Sequence, residues 1–256
     1  MGTPAKFQID LDKKFPTLAK PPIVEAAIYW NGETTQTTSP ASIAGELMSK
    51  FPGYVSSTYF PPPNDPISID LKKPPSDSPD QFRLLLSLTE DGRVGLFQSE
   101  GATFSQLKPY PGWDMFLTEG MRFWQAYSDI LAPQSLDTLG LRFTSQIEVT
   151  SGERIEELIK NVSHPLIEIG LSQENFFHRE SAILPQNPFR VDLSITMQTT
   201  PQTTQQFLLV DIDVQATQSI PNEMKQIHLR LAEMRYIKNA VFFGCIRNPE
   251  VRFGTR

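Results

Sequence analysis

The sequence predicts an α+β fold in which one unit occurs twice, the strands joining into a curved antiparallel sheet with two long helices on one face. Three observations point there. Apolar residues recur at every second position in Leu141, Phe143 and, after a polar stretch, Ile147 and Val149, in Phe82, Leu84, Leu86 and Leu88, and in Leu208, Val210, Ile212 and Val214, which is the period of a half-buried strand. Two stripes recur at three- and four-residue spacing, the period of an amphipathic helix: Trp113, Phe116, Leu117, Met121, Trp124, Tyr127, Ile130 and Leu131, and later Met224, Ile227, Leu231, Met234, Ile237 and Val241. Each half also reads strand, short helix, several strands, long helix. The interval between the starts of the two helices agrees within a residue. Residue identity between the halves is negligible, so the match is one of pattern.

In chain order, residues 1–20 are weakly patterned and read as an arm over the surface. Pro21-Pro22 stiffens the entry to Ile23–Trp30, whose β-branched and aromatic content favours a strand. Ser39-Pro40 supplies an N-cap and a first-turn proline for a short helix, with Ile43, Leu47 and Phe51 on its buried face and Pro52-Gly53 as its stop. A short strand over Tyr54–Phe60 follows. Proline makes up 22 of 256 residues, above the usual roughly 5%. Seven of these prolines fall between Pro61 and Pro79, which marks Pro61–Asp80 as a loop. Phe82–Leu88 and Val94–Gln98 flank the turn Glu90-Asp91-Gly92-Arg93 as a hairpin, and a strand near Thr103–Leu107 leads into the first long helix, ended by Pro133.

Leu139–Val149 closes the first unit and opens the second. Thr150-Ser151-Gly152-Glu153 has capping-box spacing, ahead of a helical face of Ile155, Leu158, Ile159 and Val162. A strand lies within Phe176–Leu184, and Phe189–Met197 pairs with Gln206–Ala216 across a polar turn. The organisation is thus an arm at 1–20, a first repeat at 21–137 and a second at 138–256, in one compact domain. The expected shape is a saddle like that of TATA-box-binding proteins. A helix-grip fold, with the sheet wrapped round a long helix, is the alternative.

Several pieces together resemble a sporadically distributed bacterial family of uncharacterised proteins. They are Pro21-Pro22-Ile23-Val24-Glu25-Ala26, Tyr110-Pro111-Gly112-Trp113, Leu141-Arg142-Phe143, Leu209-Val210-Asp211-Ile212-Asp213-Val214 and His228. The resemblance spans nearly the whole chain, and its opening Pro-Pro-Ile-Val-Glu-Ala run is the distinctive part. At Phe143-Thr144-Ser145 the chain departs from the family's aromatic-Ile-Asn. The resemblance implies no activity.

Asp211 and Asp213 are the sharpest candidates for chemistry, because residues two apart in a strand share a face. Two carboxylates there could bind a divalent cation or act as an acid/base pair, with His178 of His178-Arg179-Glu180 joining the same face. Arg190 and Asp192 have the same spacing on the neighbouring strand, so a cross-strand charge ladder accounts for the same residues without chemistry, and it is the preferred reading. His164, His178 and His228 lack ligand spacing. Cys245, the single cysteine, reads as a small buried residue, and His228 as a partly buried helix residue bonded to backbone. The aromatic stripe Trp113, Phe116, Trp124 and Tyr127 reads as core.

No phosphate-cradling glycine loop or Gly-x-Ser-x-Gly elbow occurs, and no cofactor is called for. With 23 basic against 29 acidic residues the formal net charge is −6, which disfavours nucleic acid and anionic membranes as partners. Lone Cys245 and the absence of a long apolar run near Met1 lead to a cytoplasmic expectation. The functional expectation is a non-enzymatic interaction module that binds a protein partner or its own copy through a sheet face or the Pro61–Asp80 loop. The alternatives are a metal-assisted hydrolase or nuclease on Asp211, Asp213 and His178, and a nucleic-acid binder using the open sheet face.

Overall fold

The computed structural model describes residues 7–34, 40–59, 83–150, 152–160, 176–199 and 205–256. The expected loop at Pro61–Asp80, the Ser39 cap, Val162 and His164 lie outside the described residues. The protein is α+β, and its elements run β1 (Ile23–Asn31), α1 (Pro40–Ser49), β2 (Val55–Tyr59), β3 (Arg83–Leu88), β4 (Arg93–Gln98), β5 (Gly101–Leu107), α2 (Trp113–Leu131), β6 (Ser135–Leu136) and β7 (Thr138–Val149). They continue with α3 (Ile155–Leu158), β8 (Phe177–Ile183), β9 (Phe189–Thr199), β10 (Gln206–Ala216), β11 (Ile220–Pro221), α4 (Met224–Cys245) and α5 (Pro249–Phe253). The described chain falls into two compact units. One holds 27–139 and 219–222, and the other holds the remaining described residues.

In the first of these, β2, β3, β4, β5 and β1 lie side by side in that order. The β3–β4 hairpin turns through a 3-10 segment at Thr89–Asp91, with Leu88 opposite Arg93. Helix α2 packs on β5 and on α1, and burial follows the apolar stripe: Phe116, Trp124 and Tyr127 are at most 1% exposed, so these aromatics are core. Trp113 at the helix start is only half-buried. Phe123, outside the expected stripe, is fully buried too, ringed by Phe51, Phe97 and Phe104 with centroids 4.3, 5.5 and 5.0 Å away. Ala132 in the left-handed region donates its N–H to the Ser128 carbonyl, and Pro133 then stops the helix. β11 returns to pair with β6, and the Asn222 amide donates to Ser128 Oγ and the Pro133 carbonyl at 2.8 Å each.

The other unit orders its strands β7, β10, β9, β8, with antiparallel registers throughout. Leu141, Phe143, Ile147 and Val149 of β7 and Leu208, Val210, Ile212 and Val214 of β10 are buried. Helix α4 packs on β10 through Ile227, Leu231 and Met234, all 0% exposed. The arm covers another side of α4: Phe15 stacks on Phe243 at 5.6 Å and meets Tyr236 edge-on at 5.4 Å, while Leu18 bridges Thr255.

The helix after β7 is shorter than the sequence suggests. Ile159 leaves α3 to bridge Ile246, with the Lys160 N–H on the Cys245 carbonyl and the Arg247 N–H on the Leu158 carbonyl. Tertiary pairing overrides local helix preference there. The capping box is half made, since Glu153 accepts from the Thr150 N–H at 3.0 Å, yet Thr150 Oγ1 donates to the same carboxylate instead of capping the helix. Glu153 also takes Arg252 Nη1 of α5 at 2.6 Å. Arg252 first and Thr150 next hold its carboxyl at about 2, down from 4.5. A depressed carboxylate stabilises the fold above its unfolded value and ceases to as pH falls, so the contribution fades between pH 4.5 and about 2. Glu153→Gln should therefore lower neutral-pH stability by about 1 kcal/mol after solvent screening. It should also flatten the acid limb of a urea-midpoint profile over that window, and an unchanged limb would count against the pairing.

Candidate functional site

The open face of β7, β10, β9 and β8 carries the charge ladder. Register aligns Thr144, Asp211, Ser194 and Arg179 in one row, and Arg142, Asp213, Asp192 and Ser181 in the next. Directly opposed residues of antiparallel strands share a face, so both rows project together. Asp211 and Asp213 therefore do share a face. His178 does not join them: it aligns with Ile195 and, through it, with buried Val210, which puts it on the opposite side of the sheet. Glu180 aligns with Leu193 and Ile212 and goes with it, so of His178-Arg179-Glu180 only Arg179 is on the ladder face.

Arg142 grips Asp211 in a fork, Nε to Oδ1 and Nη2 to Oδ2, both at 2.8 Å, and Thr144 Oγ1 adds a donor at 3.2 Å. Those bonds raise the Arg142 pKa above its ordinary value against the opposing effect of burial, and the charges of Asp211, Asp213 and Glu25 add to them. On the far side Arg190 forks onto Asp192 through Nε and Nη2 at 3.0 Å each, and the Ser181 hydroxyl donates to the same carboxylate. Asp192 is 8% exposed, and that burial is tolerable because its oxygens are bonded. Asp213 stands opposite Asp192, a like-charged pair that would repel in isolation. Gln215 Nε2 donates to Asp213 at 2.7 Å, and Arg142 and Arg190 flank the pair with positive charge.

Acid/base work or metal ligation needs carboxylate lone pairs free to meet a substrate or cation. Here Asp211 and Asp192 are occupied by guanidinium forks. Among the described residues no group of three or more His, Cys, Asp or Glu side chains is arranged to hold a metal ion.

His178 instead lines a 160 Å³ cleft with Lys160, Glu180, Cys245 and the apolar pair Leu193 and Ile195. His178 Nε2 lies 3.1 Å from Glu180, and Lys160 Nζ donates to the Phe243 carbonyl at 3.0 Å. The Cys245 thiol donates to the Phe242 carbonyl at 3.5 Å, and burial pushes its pKa up to about 11, which opposes thiolate formation. His228 is exposed, not partly buried, and its Nδ1 donates to the Met224 carbonyl at 2.8 Å.

Sequence reasoning missed two features. The Arg142 fork joins residues 69 apart and depends on strand register. Lys238 is the other: it continues the buried α4 stripe four residues after Met234, with its Nζ 4.2 Å from the Phe143 ring centroid. A charged residue in an apolar stripe was the available signal. No protein-family model matches the chain, and no curated protein matches it.

Proposed function

We propose that the protein is a non-enzymatic interaction module whose docking surface is the open face of β7, β10, β9 and β8. The observation that carries this reading is a charged ladder whose arginines are exposed while Asp211 and Asp192 are bonded within it. A partner meets oriented guanidinium and carboxylate groups, and arginine held in a fork is a group that interfaces favour. Phe177 and Ile183, 67% and 72% exposed, add apolar contact on the same face. The metal-assisted hydrolase ranks below it because the imidazole is on the other face, and nucleic acid ranks lower because the ladder is as acidic as it is basic. A saddle of two repeats, with both long helices on one face, belongs to this reading, as does a cytoplasmic address. The support for the saddle is the shared order of elements, and superposition of the two halves in an experimental structure tests it.

Affinity capture with the full chain, followed by titration of the purified partner, tests the function. Arg142→Ala should weaken that complex about tenfold or more, as hot-spot arginines do. It should cost the fold only about 1 kcal/mol, because the pair is half-exposed. Finding no partner and no self-association, together with a turnover activity that Asp211→Ala abolishes, would overturn the reading.

A further inference from the structure

We propose that β8 is a self-association edge, to which a second copy adds its own β8 antiparallel across a two-fold axis at Glu180. This goes beyond the open-face reading: it uses the β8 edge of the same sheet, three strands away from Arg142 on β7. Among the described residues β8 pairs with β9 alone, and six of its seven residues are exposed. The Met197 N–H donates to the Phe176 carbonyl at 3.0 Å and the Leu184 N–H to the Phe189 carbonyl at 2.9 Å, so residues 176 and 184 sit in hydrogen-bonded pairs with β9. Bonded and non-bonded pairs alternate along an antiparallel ladder. His178, Glu180 and Ala182 therefore spend their backbone groups on β9. Phe177, Arg179, Ser181 and Ile183 turn theirs outward, where an incoming strand can use them.

Those four residues are symmetric about Glu180. With the axis there, Phe177 pairs with Ile183 of the second copy and Arg179 with Ser181 of the second copy, and each pairing occurs twice. All four outward residues then bond. Sliding the axis one residue either way sets Arg179 against itself or Ser181 against itself and leaves an end residue unpaired. The same register joins the two large exposed apolar side chains of the strand, Phe177 and Ile183, which share a face. Such cross-strand aromatic and β-branched pairs stabilise sheets. The opposing contribution is Glu180 facing Glu180 of the second copy, eased by His178 Nε2 at 3.1 Å on its own strand. The association is accordingly weak and strengthens with salt, which screens the repulsion.

Sedimentation velocity on the full chain, from low to high micromolar concentration, tests this. A monomer–dimer equilibrium is expected. Arg179→Pro should abolish it, since proline removes an outward donor and leaves the bonds to β9 in place. Ile183→Lys, at a position already exposed, should weaken the dimer about tenfold. Glu180→Gln should tighten it about fivefold by removing the like-charged pair. Circular dichroism and thermal melts confirm that the variants are folded. A monomer throughout the range overturns the proposal, as does a dimer indifferent to Arg179→Pro and Ile183→Lys or one that Glu180→Gln does not tighten. If the protein is monomeric yet captures a different partner in a complex sensitive to Arg142→Ala, self-pairing fails and the module reading stands.

Discussion

Gly95→Ala should destabilise the protein by about 3 kcal/mol, the upper end of the overpacking range, and lower its melting temperature by about 10 °C for a chain of this size. Gly95 lies mid-strand in β4, opposite Leu86 and Phe104, with α2 above it. A methyl group there would sit 1.9 Å from Phe123 Cε1 and 2.6 Å from Cδ1, well inside van der Waals contact. Phe123 has nowhere to go: it is 0% exposed, stacked on Phe97 at a 10° interplanar angle and backed by Phe51 and Phe104. The absent side chain in the strand is thus the space the ring occupies. Phe123→Leu should therefore cost less in the Gly95→Ala background than alone, with a coupling of about 1 kcal/mol or more between the two sites. Urea denaturation of the four proteins measures it. A Gly95→Ala variant within about 0.5 kcal/mol of the parent would show that the ring yields.

That contact marks the boundary of what sequence periodicity can report. Alternation located β7 and β10 and the helical stripe located α2 within a residue or two, because burial of one face dictates those periods. Periodicity says which residues share a face along one strand and nothing about which strand lies alongside. Arg190 and Asp192 were legible as a ladder beside Asp211 and Asp213 because their strands are close together in sequence. Arg142 was not, since its fork depends on the alignment Asp211↔Thr144 between segments far apart in sequence. His178 went to the wrong face for the same reason, as a shift of one residue in register exchanges every side chain between faces. The end of α3 followed from a tertiary bridge at Ile159↔Ile246 that no local capping signal records.

Lys238→Met should stabilise the protein below neutral pH, an effect opposite to that of most substitutions in a helix interior. Lys238 follows Ile227, Leu231 and Met234 on the side of α4 that packs on the sheet, and its ammonium stands over Phe143. Desolvation first, and the nearby Arg235 charge second, bring its pKa down from 10.5 to about 7. The unfolded chain therefore binds more protons than the folded one between about pH 7 and 10.5, and stability rises with pH through that window. Below it the cost of burying the ammonium is present in full. A shift from 10.5 to 7 corresponds to at most about 5 kcal/mol. The residue is half-buried, and the ring face returns part of the loss, so about 2 kcal/mol is the expected gain. Methionine matches the length of the lysine stem and carries no charge. Its advantage in urea midpoint should be largest near about pH 6 and shrink toward about pH 10. Parallel pH profiles for the two proteins, or a methionine variant weaker at the acid end, would mean that the ammonium reaches water and the stripe tolerates it without cost.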